Sequence, residues 1–138
     1  MAIQYAAKNP KIKAVATHSA FSSMQDTIET SVSFFTGLPP FPFAPMIQFW
    51  AEREIGASIT DIDASQWIAT IGPRPVFIMH GLKDLIVSPQ SGNILYDAAQ
   101  EPKELWLDSE LGHGGFEHEY PEQFEQRLVE FFDGSLLN

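Results

Sequence analysis

Apolar positions along this chain fall into short continuous runs and into stripes at helical spacing. Val76, Phe77, Ile78 and Met79 form a continuous run of β-branched, aromatic and long apolar types, stopped by His80-Gly81. Such a run predicts a strand buried on both faces of a parallel sheet. Residues 12–17 predict a second buried strand, ending at His18-Ser19-Ala20-Phe21, and residues 104–107 a third. Helical stripes lie between them. Ile3, Ala6 and Ala7 share a face before the stop signal Lys8-Asn9-Pro10, and Ile28, Val32 and Phe35 share one over residues 26–35. Ile47 and Trp50 mark residues 46–54, Trp67 and Ile68 mark residues 61–71, and Ile94, Leu95, Ala98 and Ala99 mark residues 89–100. Phe124, Leu128, Phe131 and Phe132 then repeat at i, i+4, i+7 and i+8 over residues 121–132.

Punctuation supports these elements. Ser88-Pro89 predicts a helix start with serine as N-cap and proline at the first helical position; Pro121 suits another first turn, and Gly134 an end. The stretch Gly37-Leu38-Pro39-Pro40-Phe41-Pro42-Phe43-Ala44-Pro45 is expected to form neither regular helix nor central strand. Strands alternating with helices predict an α/β fold with a parallel sheet. No internal repeat, low-complexity segment or linker interrupts it.

Composition narrows the function classes. At 138 residues with 44% apolar content, the chain is one domain or part of one, with enough apolar surface for a real core. It has no cysteine, so neither a disulfide framework nor a thiol nucleophile is available. Its 18 acidic and 8 basic residues give a net charge of −10, which offers little to phosphates or anionic lipid. Nucleic acid is therefore not an expected partner. No apolar run approaches the roughly 18–20 residues that span a bilayer, and the opening residues lack a signal-peptide pattern. A soluble, cytoplasmic protein is the expectation.

The chemistry concentrates after the predicted strands. Asp84 lies in a short polar loop just past the run 76–79, where open α/β sheets place their reactive groups. Its bland alternative is a turn aspartate bonding its own backbone. His113 stands in the glycine-flanked loop Leu111-Gly112-His113-Gly114-Gly115-Phe116, after the third strand; the alternative is an ordinary loop histidine. His118 is a second candidate for the same role. His80 reads as a buried, hydrogen-bonded structural residue, and His18 as a residue lining the site or serving structure. No His-Glu-x-x-His and no glycine-rich phosphate loop is present, so neither a metal nor a nucleotide cofactor is expected. The cluster Glu117, Glu119, Glu122 and Glu125 reads as dipole complementarity at a helix start.

The order strand, His80-Gly81, Asp84, Ser88-Pro89, then the Gly112-His113-Gly114 loop resembles the acid and histidine loops of the α/β-hydrolase superfamily, in its branch of small esterases, acyl hydrolases and serine peptidases. The likeness extends weakly over almost the whole chain, as the carboxyl-terminal half of such a fold. It implies that residues 22–71 form a cap-like insertion and that Asp84 and His113 are the catalytic acid and histidine. A Gly-x-Ser-x-Gly elbow, which this family uses to project its nucleophile, is absent; the resemblance places it upstream of Met1, together with the oxyanion hole. Ser19 and Ser22 lack the flanking glycines of such an elbow. His18 departs from the acidic residue expected at that strand end.

The reading that follows is hydrolysis of an ester, thioester or amide (peptide) substrate by a Ser-His-Asp mechanism, without cofactor, with the chain on its own inactive. The alternative is a non-catalytic α/β module for binding or assembly, self-associating through an unpaired sheet edge. Phe34, Phe35, Phe41, Phe43 and Trp50 are expected to face inward, because exposed aromatics would form an aggregation-prone patch.

Overall fold

The computed structural model describes residues 2–136. Helix α1 (Ala2–Lys8) leads into strand β1 (Val15–His18), and two helices follow, α2 (Met24–Thr36) and α3 (Pro40–Ile55). A 3₁₀ turn (Ile59–Asp61) and helix α4 (Ala64–Ile68) return the chain to the central strand β2 (Val76–Gly81). Helix α5 (Ser91–Ala98), strand β3 (Lys103–Asp108), the single turn α6 (Phe116–Glu119) and helix α7 (Pro121–Leu136) complete it. The strands pair in parallel in the order β1-β2-β3.

The continuous apolar run becomes β2, and all six of its residues are buried. Because side chains alternate across a strand, β2 feeds two cores. Val76 and Ile78 pack with Ile3, Ala6, Ile68, Ile71 and Leu95, which come from α1, α4, α5 and the turn before β2. Phe77 and Met79 point to the opposite face, against Leu111, Phe116 and Phe131. The sheet is thus flanked by helices on both sides. Arg74 ties the entry of β2 to the end of α1: its Nη1 donates to the carbonyls of Ala6, Asn9 and Ile12 at 2.9, 3.1 and 3.0 Å. The Ala6 carbonyl lies in the last turn of α1 and the other two in the segment that follows it, so one guanidinium pins the exit of the helix.

Several expectations shift. Ser88 does not cap a helix; α5 begins at Ser91, and the Ser88 carbonyl accepts from the Ser91 amide at 2.9 Å within a preceding turn. Pro45 lies inside α3, contrary to the expected irregular stretch. The backbone is extended at Phe41 (φ −97°, ψ 132°), so the helix restarts there and Pro45 falls in its first turn. Few backbone N–H groups have intrahelical partners at that point, so proline costs little. Gly134 does not end α7, which runs on to Leu136.

The inward orientation of the aromatics is overturned. Phe34, Phe35, Phe41 and Trp50 are exposed by 48%, 69%, 78% and 63%, and only Phe43 is partly covered. Helices α2 and α3 bury little of themselves, chiefly Val32 and Ala44. Two helices joined at a short turn have too little neighbouring surface to cover five large rings. Among the described residues, no helix is long and apolar enough to cross a membrane.

Candidate active site

The carboxyl end of β2 positions the first group. Gly81 ends the strand, and a Cβ there would overlap the carbonyl oxygens of Leu111 and Gly112, so this close approach requires glycine. The histidine loop consequently lies directly across the strand end. Lys83 N–H donates to the Leu111 carbonyl at 2.8 Å, and Leu82 N–H to the Asp108 carbonyl at 2.7 Å.

Asp84 is fully buried and divides its two oxygens between two tasks. Oδ1 accepts the backbone N–H groups of Ile86 and Val87, each at 2.9 Å. Oδ2 accepts from His113 Nδ1–H at 2.8 Å. The turn aspartate and the partner of a histidine are therefore the same residue. The turn locks the carboxylate, and the carboxylate fixes the tautomer of the ring. With Nδ1 engaged by Asp84, Nε2 is the second ring nitrogen, and 41% of the His113 side chain is exposed.

His80 lies on the same strand, fully buried, with Nε2 3.7 Å from Asp84 Oδ2. By strict hydrogen-bond geometry neither ring nitrogen is paired among the described residues, although the Val87 backbone is near enough to favour the protonated ring. Burial holds its pKa below the ordinary value, and the nearby Asp84 carboxylate opposes this only in part. His80 is thus harder to protonate than a free imidazole. His18, at the end of β1, packs edge-on against Phe116 with centroids 5.2 Å apart, and its Nδ1 lies 3.4 Å from Glu117. Burial lowers its pKa as well, against the opposing pull of Glu117. His118 stands exposed on α6; it is His113 that meets Asp84.

The two serines differ. Ser22 is buried and its hydroxyl lies 3.2 Å from that of Ser91, which joins the loop after β1 to α5. Ser19 follows β1 with a left-handed backbone (φ 49°), and its Oγ accepts from Gly114 N–H at 3.0 Å. A second aspartate escaped the sequence reading. Asp108, at the end of β3, accepts from the backbone N–H groups of Glu110 and Leu111 at 2.8 and 3.0 Å, and from the Tyr120 hydroxyl at 2.9 Å. The Glu110 N–H bond contributes most to holding its pKa below the usual carboxylate range. Asp108 thereby shapes the approach to the histidine loop. The only available signal was its place after a strand.

A cleft of about 320 Å³ runs beside β1, lined by Thr17, His18, Ser19 and Phe21 with Ile3 and Ala64. Ser19, whose Oγ accepts from Gly114 N–H, joins it to the histidine loop. Among the described residues no three His, Asp or Glu side chains converge as a metal site requires.

No family model matches the sequence. One curated protein, the uncharacterized YfhR of Escherichia coli (strain K12), is 30% identical over 71 residues, which cover 51% of this chain and 25% of that protein. Solved structures match more broadly. An esterase of Pyrococcus furiosus superposes with a TM-score of 0.71 at 18% identity, covering 97% of this chain and 49% of the esterase. The α/β hydrolase GrgF of Penicillium sp. sh18 gives 0.68 at 14% identity, over 99% of this chain and 60% of GrgF. An acylaminoacyl peptidase of Pyrococcus horikoshii gives 0.67 at 14%, over 94% of this chain and 21% of the peptidase. The chain thus spans about half the length of the esterase or less than two thirds of these others. At such identities the likeness is one of fold, and it agrees with the parallel sheet and its two helical layers: the chain carries part of an α/β-hydrolase fold.

Proposed function

We propose that Asp84 and His113 are the acid and the histidine of a serine-hydrolase mechanism acting on an ester, thioester or amide. The observation that carries this reading is the 2.8 Å bond from His113 Nδ1–H to a fully buried carboxylate whose other oxygen is already tied to the backbone. In that mechanism His113 Nε2 takes the proton of a serine hydroxyl as the oxygen attacks the carbonyl carbon, then gives it to the leaving group. Water repeats the cycle to release the acid. Asp84 stays ionised, holds the tautomer and stabilises the imidazolium. The serine and the oxyanion donors would come from outside residues 1–138, beside β1. Names of structural neighbours, esterases and a peptidase among them, agree with acyl chemistry.

Turnover of short p-nitrophenyl esters tests the reading. Residues 1–138 alone are expected to be inactive, because each oxyanion donor is typically worth about 10²–10³ in rate. Joined to an amino-terminal α/β-hydrolase half that carries a serine elbow, the chain is expected to turn over and to lose that activity with His113→Ala. Activity of residues 1–138 that survives His113→Ala would show that the dyad is not the machinery.

A second reading, assembly, is favoured by one observation: the exposed Phe35, Phe41 and Trp50 on α2 and α3. Replacing Phe35 and Trp50 with serine should then lower self-association in sedimentation velocity. An unchanged association state would count against it.

A further inference from the structure

We propose that Ser19 is a positioning residue for His113: its hydroxyl, aimed by a left-handed backbone, holds the Gly114 amide and with it the histidine ring against Asp84. Two observations carry this. Ser19 is the one non-glycine residue with positive φ among the described residues, at 49°. Outside glycine this region is about five- to thirtyfold disfavoured. A glycine would enter it freely but has no hydroxyl, and the hydroxyl is in use: Oγ accepts from Gly114 N–H at 3.0 Å, across 95 residues of sequence.

The loop that receives this bond needs an anchor there. His113 is followed by Gly114 and Gly115, both with positive φ (73° and 105°), and preceded by Gly112. Such a run has the broadest backbone freedom of any sequence and no side chains to pack. On its amino-terminal side the loop is held at Leu111, whose carbonyl accepts from Lys83 N–H, and by its contact with Gly81. On its carboxyl-terminal side the Gly114 amide is held by Ser19, whose own N–H donates to the Met79 carbonyl at 2.9 Å on β2. His113 thus lies between two fixed points, Leu111 before it and Gly114 after it. Ser19 also lines the cleft beside β1, so the anchor sits where a reactant would enter. A bound hydroxyl without flanking glycines is suited to holding the loop rather than to attack.

A catalytic consequence rests on the reading of His113 as general base; the structural consequence does not. The test therefore follows the ring proton in the full 138-residue chain. In ¹H NMR the His113 Nδ1–H bonded to Asp84 is expected far downfield and slow to exchange with water. Ser19→Ala and Ser19→Gly should each speed that exchange about three- to tenfold, the loss of one ordinary hydrogen bond. Ser19→Gly should be the more stable of the two, since glycine relieves the left-handed backbone, so it remains informative if Ser19→Ala folds poorly. Ser23→Ala is the control: it removes the bond from Asp26 N–H that caps α2, lowering stability without changing the ring exchange. Unchanged exchange in both Ser19 variants would overturn the proposal. So would absence of the downfield proton from the parent protein, or labelling of Ser19 by a fluorophosphonate. If the ring responds while the chain joined to a serine-bearing amino-terminal half shows no hydrolysis, the hydrolase reading fails and the positioning role stands.

Discussion

Asp84 concentrates more of the site than any other residue, because each of its oxygens is committed. Asp84→Asn keeps an oxygen for Ile86 and Val87 but turns an N–H toward the His113 N–H, or the reverse. A buried donor without an acceptor typically costs about 1–3 kcal/mol, and urea denaturation should show a loss in that range. A change below a few tenths would mean either that the buried bond is not formed or that the ring has moved its proton to Nε2 and accepts from the amide, which the ring ¹⁵N chemical shifts would show. His80 makes a separate prediction through pH. Burial lowers its folded-state pKa below the ordinary 6.5, so the unfolded chain binds the proton first. Stability is then complete above pH 6.5 and falls as pH drops below it, by up to about 1.4 kcal/mol per pH unit. His18, lowered by burial too, adds in the same direction. Denaturation midpoints at about pH 7.5 and 5.5 should differ less in His80→Leu than in the parent. An equal difference would show that His80 does not titrate in this way. The residue scale was legible where side chain and backbone signal agree: Asp84 follows a strand and His113 sits among glycines. Ser19 and Asp108 were not, since a left-handed serine and a Tyr120 partner depend on segments that meet only in the fold.

Elements differ in what their sequence reveals. Strand β2 was legible because a fully buried strand needs no alternation, and α7 because its apolar stripe is long and regular. The α2–α3 pair misled for a physical reason: ring size predicts a need for burial, but only neighbouring elements can supply it. The rings instead meet edge to face, Phe34 with Phe35 and Phe49 with Trp50, with centroids 4.9 and 5.6 Å apart. The consequence is a contrast between two substitutions. Phe41→Ser should change stability by about 0.5 kcal/mol or less, as exposed positions do. Ile68→Ala, on α4 and fully buried between α1 and β2, should cost about 2–5 kcal/mol. Thermal or urea unfolding measures both. A large loss for Phe41→Ser would place that ring in contact with something the single chain does not provide.

At the scale of the molecule, the sheet brings distant loops to one edge. Strand β2 delivers Asp84, β3 is followed by His113, and β1 ends at His18 and Ser19, all at the carboxyl ends of parallel strands. Such an edge is where α/β sheets bind and transform ligands. Strand β1 is an edge strand, with clefts of about 320 and 240 Å³ beside it. The central claim is that the Asp84 carboxylate serves the histidine in catalysis, and one rate tests it most directly. In the chain joined to an amino-terminal half that carries a serine elbow, p-nitrophenyl acetate turnover by folded Asp84→Asn should fall by about 10³–10⁴-fold against the parent, the scale expected when the histidine loses its orienting carboxylate. Turnover by folded Asp84→Asn within tenfold of the parent would contradict it.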